Sequence, residues 1–141
     1  MRRLGVVLAG SVLVLAGACS GDREVAPPAA CSSPVNNEMR GTGSLWALFF
    51  PTQGQTAPVV AGAEVKIVWK IGGEGDFTVS ATGPDGAQAK LAWGPTGHGS
   101  STWERPGTEY GTGLVFPTPG CWTITAARAN GERGELRLTV A

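Results

Sequence analysis

From residue 44 onward the chain is a series of short runs in which apolar and polar residues alternate, separated by glycine and proline. Residues 64–71 (EVKIVWKI) set Val65, Ile67, Trp69 and Ile71 on one side and Glu64, Lys66 and Lys70 on the other. That period of two marks a strand with one buried face. Residues 77–82 (FTVSAT) repeat it with Phe77, Val79 and Ala81 inward, and residues 87–93 (AQAKLAW) place Ala87, Ala89, Leu91 and Trp93 on one face. Residues 121–128 (CWTITAAR) and 134–140 (GELRLTV) alternate in the same way around Trp122, Ile124, Ala126 and around Leu136, Leu138, Val140. Residues 112–116 (TGLVF) form another short run. Residues 43–51 (GSLWALFFP) alternate little, as expected of a strand covered on both sides. These phases assign Trp46, Trp69 and Trp122 to the core.

The breaks between runs carry turn chemistry. GPDG at 83–86 combines a proline with fixed φ and a glycine that tolerates positive φ. Asn130-Gly131, between the last two runs, is a hairpin signal. No window beyond residue 44 carries a helical period. About seven short strands with turns every eight to twelve residues predict an all-β, antiparallel β-sandwich over residues 44–141.

The N-terminal part is different. Arg2 and Arg3 precede an apolar run over 4–18 that ends in Ala16-Gly17-Ala18 and then Cys19. Fifteen apolar residues are short of the roughly twenty that span a bilayer, so residues 1–18 read as a secretory signal peptide. Small residues directly before a cysteine resemble the lipobox of bacterial lipoproteins, with Ala16 at the position where that family usually has a large aliphatic residue. The resemblance implies lipid attachment (palmitate among the acyl groups) at Cys19 and anchoring at the extracytoplasmic face of the cell membrane. Ordinary signal peptidase would cut at the same bond and release a secreted protein. With Cys19 lipidated, the remaining two of three cysteines, Cys31 and Cys121, are left as a pair in an oxidising compartment. Such a disulfide would close a loop of roughly 90 residues, worth about 4.6 kcal/mol in chain-entropy models; two free buried thiols are the alternative. Cys121 lies opposite in phase to Trp122 and Ile124. The bridge is therefore expected to pin the N-terminal segment to the outer side or edge of the sandwich rather than to cross its core.

Residues 19–43, rich in Pro, Ser and Gly and without periodicity, are expected to act as a lipid-anchored tether. The stretch FPTPGCWTITA (116–126) resembles the strand of bacterial immunoglobulin-like and fibronectin-like modules in which Pro-Gly precedes an alternating aromatic and aliphatic run. Together with the lipobox it implies a small lipoprotein bearing one Ig-like domain. Such modules share a fold without sharing a function, so the resemblance carries no site residues.

Charge and composition remove several function classes. Eleven basic and eleven acidic residues balance, and loss of Arg2 and Arg3 with the signal leaves about −2. Without a basic patch, nucleic acid is not an expected partner. One histidine, His98, and one methionine beyond the initiator, Met39, do not make the two-histidine, cysteine and methionine set of a copper sandwich. No metal or cofactor is expected.

The polar chemistry is concentrated in WGPTGHGSSTWERPGTEYGTG (93–113). Ser100 or Ser101 with His98 and Glu104 or Glu109 could be drawn as a triad, but no nucleophile elbow is present. Glu104 and Glu109 could be drawn as paired carboxylates. A binding loop has more support: Trp93, His98, Trp103, Glu104, Arg105 and Tyr110 lie in or beside a connection of about eighteen residues, and loops that long are commonly functional. Alternatively Trp93 and Trp103 fold inward as an ordered cap, with Arg105 paired to Glu104 or Glu109. The expected function is a non-enzymatic binding or assembly module of the bacterial envelope, meeting cell-wall glycan or an envelope protein. A small hydrolase using residues 93–110 and a purely structural spacer are the alternatives. The hydrolase predicts a cleft joining His98 to a serine or carboxylate, the spacer buried loop aromatics, and the binding module a solvent-facing Trp93, Trp103 or Tyr110.

Overall fold

The computed structural model describes residues 29–51, 58–99 and 101–141; the expected signal peptide (1–18), Cys19 and Ser100 lie outside the described residues. Among the described residues, eight strands run in chain order as β1 (Glu38–Arg40), β2 (Trp46–Phe50), β3 (Glu64–Ile71), β4 (Phe77–Thr82), β5 (Lys90–His98), β6 (Thr108–Val115), β7 (Gly120–Arg128) and β8 (Arg133–Val140). They form two antiparallel sheets, ordered β1-β2-β3-β6-β5 and β4-β7-β8. The protein is thus an all-β sandwich, as the alternation predicts. Among the described residues the one helical segment is a 3-10 turn at Pro84–Gly86, where GPDG was expected to turn.

The inward faces supply a continuous apolar layer. Trp69, Trp122, Phe49 and Phe116 are fully buried, with Ile67, Ile71, Ile124 and Leu138 between them. Each core indole finds a neutral acceptor: Trp69 Nε1 donates to Thr112 Oγ1 at 2.8 Å and Trp122 Nε1 to the Thr118 carbonyl at 2.9 Å. Gly83 lies under the Trp122 ring, where an added Cβ would come within 2.4 Å of it. The Asn130-Gly131 hairpin forms as expected, closed by Arg128 N–H to the Glu132 carbonyl at 2.7 Å.

Three assignments change. Trp46 is not in the core: β2 alternates after all, with Leu45, Ala47 and Phe49 buried inward and Trp46, Leu48 and Phe50 outward. Its unbroken apolar character reflects a partly covered outer face. The folded domain also starts before residue 44. Asn36 and Asn37, both at positive φ, turn the chain between Val35 and Glu38, and β1 pairs with β2 through Glu38–Leu48, Met39–Ala47 and Arg40–Trp46. Residues 31–43, assigned to the tether, are therefore part of the sandwich. Finally, β5 and β6 reach farther into the 93–113 stretch than expected, so the connection between them is only residues 99–107.

Cys31 and Cys121 are joined, with Cα atoms 5.7 Å apart. Since Trp122 and Ile124 point inward, Cys121 lies on the outward side of the three-stranded sheet, and the bridge fastens the N-terminal segment there. Ser32 bonds along β8, donating to the Arg137 carbonyl at 3.1 Å and accepting from Thr139 N–H at 2.8 Å. Thr42 and Val59 bond to further positions of the same strand and its end. The edge of β8 is thereby covered, which removes a site for unwanted strand pairing.

Candidate binding site on the outer face of the five-stranded sheet

Register places the outward side chains of the large sheet in rows across its strands. One row runs Trp46, Lys70, Glu109, His98 and the next Leu48, Val68, Gly111, Thr96; a third runs Phe50, Lys66, Gly113, Trp93. Residues 101–105 of the connection that follows β5 lie across the sheet from the first row as far as β1. Two carboxylates hold them there.

The first is Glu109 on β6, almost fully buried beneath the connection. Ser101 Oγ donates to its Oε2 at 2.5 Å, His98 Nδ1 lies 2.9 Å from Oε1, and Lys70 Nζ lies 3.4 Å from Oε2. A carboxylate can be covered in this way only when its oxygens are occupied. The second is Glu38 on β1. Trp103 Nε1 donates to Oε2 at 2.7 Å, while Arg105 donates to Oε1 from Nε at 3.1 Å and from Nη2 at 2.7 Å. Burial alone pushes the Glu38 carboxyl up, but the hydrogen bonds from Arg105 and Trp103 and the Arg105 charge outweigh it, so its pKa lies below the ordinary value. The Arg105 guanidinium also stacks 4.6 Å from the Trp46 ring centre, and Lys70 donates to the Trp103 carbonyl at 2.6 Å.

The six expected loop residues therefore separate. Trp103 and Arg105 belong to the docked connection, and Arg105 pairs with Glu38 instead of Glu104 or Glu109. Glu104 is exposed and offers its backbone carbonyl to Arg105. His98 ends β5 and joins the Glu109 cluster. Tyr110 is no loop residue: it points inward from β6, stacked on Phe77 at 4.6 Å with Arg128 over its ring at 5.0 Å.

Trp93 sits on β5, where a bulge after Leu91 rotates it to the outer face. The inward position expected for Trp93 is corrected by that bulge, whereas Leu91 keeps the inward side opposite Leu114 and is exposed there because β5 is the sheet's edge. The Trp93 indole lies across β6 on the bare backbone of Gly113. A Cβ at Gly113 would come within 2.7 Å of three ring atoms, and one at Gly111 would touch the benzo ring at 3.5 Å. Its Nε1 donates to Glu64 Oε1 at 2.7 Å.

The serine–histidine relay does not form at Ser101. Its hydroxyl donates to the carboxylate and not to the imidazole, whereas a nucleophile must give its proton to the base. What the connection does create is a cleft of about 170 Å³ beside it, lined by Leu48, Phe50, Val68, His98, Ser101 and Trp103 among others. That is smaller than the roughly 300–1,000 Å³ of sites enclosing small molecules. It suits a projecting group of a larger ligand. Compared with protein-family models, characterised proteins and solved structures, the chain matches none. Among the described residues no cluster of His, Cys, Asp or Glu forms a metal site.

Glu38, Lys70 and Trp46 are residues of the candidate face that sequence reasoning missed. The outward phase of Lys70 was legible. Glu38 fell in a segment read as tether, although Asn36-Asn37 before it is a turn signal.

Proposed function

We propose that the chain is an extracytoplasmic lipoprotein, anchored through Cys19, whose Ig-like sandwich binds a component of the bacterial envelope through the outer face of its five-stranded sheet. The observation that carries this reading is the docked 99–107 connection. Two carboxylates fix it over one end of the sheet, and beside it the remaining face stays open with Phe50 45% and Trp93 37% exposed. Large aromatic side chains fixed on a rigid sheet supply contact area at small cost in ordering. The disulfide ties the N-terminal segment to the three-stranded sheet, so the attachment point and this face lie on opposite layers of the sandwich.

A spacer without a ligand is the second reading, favoured by Trp103, which is half-buried and packed on the sheet. The two are separated by sedimenting the full-length protein with isolated bacterial envelopes. Saturable binding that weakens at least threefold in Phe50→Ala or Lys66→Ala, with unchanged melting temperature, supports the binding module. Binding that never saturates leaves the spacer.

A further inference from the structure

Trp93 is held in an unusual way for an exposed aromatic. One face of its indole rests on Gly113 and Gly111, where no side chain intervenes, and its N–H is fixed by Glu64. Despite these contacts Trp93 is 37% exposed. The ring is thus presented flat, at an open edge of the sheet, in one orientation. We infer that it is a stacking platform for the pyranose rings of a polysaccharide, an inference that rests on the binding reading above and names its ligand class.

The chemistry of the surroundings favours sugar over a protein partner. A pyranose offers a face of weakly positive C–H groups, which complements the negative face of the indole. Its rim of hydroxyls needs polar neighbours, and β3, beyond β6, supplies Glu64 at the indole N–H and Lys66, whose Nζ lies 5.2 Å from the centre of the Phe50 ring. Anchors in protein interfaces instead fill desolvated pockets ringed by contacts that exclude water. Here the surface is shallow and carries charged groups next to the aromatic ring. Phe50 stands at the other end of the same row, three strand spacings away, or about 14 Å. With Lys66 between them, the row is long enough for a short run of sugars lying side-on, and its open ends let a polymer pass. The glycines at 111 and 113 keep the floor of that row free of side chains next to Trp93.

The test uses the full-length protein and hexamers of β-1,4-linked glucose and of β-1,4-linked N-acetylglucosamine, with affinity read by calorimetry and by indole fluorescence. Saturable binding to either hexamer, lost at least tenfold in Trp93→Ala and kept within about threefold in Trp93→Phe, is expected. Because phenylalanine retains a stacking face but not the N–H bond to Glu64, it separates stacking from a merely structural role, and melting temperatures identify any variant that fails to fold. Two results overturn the platform: no saturable binding to either hexamer, or Trp93→Ala binding as well as wild type. Envelope binding that survives enzymatic removal of the glycan also overturns the platform while leaving the binding reading intact. Absence of binding to both envelopes and hexamers ends both.

Discussion

The two faces of the five-stranded sheet treat tryptophan differently. Inside, Trp69 gives its N–H to the Thr112 hydroxyl, and across the core Trp122 gives its own to a backbone carbonyl. Outside, Trp93 and Trp103 give theirs to the carboxylates of Glu64 and Glu38. The difference follows from dielectric environment. A carboxylate in the core would lose its hydration with no compensating charge, whereas near solvent it can be partnered by Arg105 or left half-wet. The inner layer is therefore held by packing that ignores pH and salt, and the outer layer by ionic contacts that respond to both.

That contrast can be broken at several points. The largest effect is expected in the core: Trp69→Ala should cost about 3–5 kcal/mol, measured by urea unfolding, because it leaves a cavity and an orphaned Thr112 hydroxyl. Next comes the bridge between the N-terminal segment and β7. Cys31→Ser with Cys121→Ser should lower stability by about 2–4 kcal/mol and leave hydrogen exchange at Thr139 faster than in the core.

On the outer face, Glu38→Gln should cost only about 1–2 kcal/mol, since Arg105 is partly solvated, but it should free the connection. Limited proteolysis after Glu104 by a glutamate-specific protease would report that release, and an uncut connection would contradict the latch. The same latch should respond to acid. The folded pKa of Glu38 lies below its unfolded value, so its contribution is present above the ordinary carboxyl range, about pH 4, and is lost as pH falls through the lowered pKa. Fluorescence of Trp103 should therefore change at acid pH before that of Trp69 and Trp122. The smallest effect is expected from Gly113→Ala. Its Cβ would sit 2.1 Å from Trp93 Nε1, so the indole must lift from the sheet at a cost of about 1 kcal/mol. A Trp93 emission spectrum unchanged by that substitution would show that the flat placement is wrong.

How far the sequence reaches is clear from particular residues. Val65, Ile67, Trp69 and Ile71 could be placed inward because they alternate with Glu64, Lys66 and Lys70, all of them charged. Trp93 continues the same alternation from Leu91 and was misplaced, since a bulge on an edge strand shifts phase without leaving a sequence mark that periodicity can detect. Trp46 was misplaced for the opposite reason. Its strand reads as apolar on both faces, and only the arrival of Arg40 and Arg105 over the ring explains a tryptophan on the outside. The candidate site was legible as a concentration of chemistry in 93–113. Its organisation was not, because Glu38 lies some 65 residues away from Trp103 in the chain.

By itself, then, the sequence determined the all-β class, the turns at 83–86 and 130–131 and most of the inward-facing residues. These depend on local backbone preference and on a period of two, both written residue by residue. Tertiary structure alone decided that Ser101, His98 and Lys70 converge on Glu109, that Glu38 latches the connection, and that Trp93 lies flat on two glycines. Each of these is a contact between strands whose neighbours and register are fixed by the packing of two sheets, and no local pattern encodes which carboxylate a distant indole will meet.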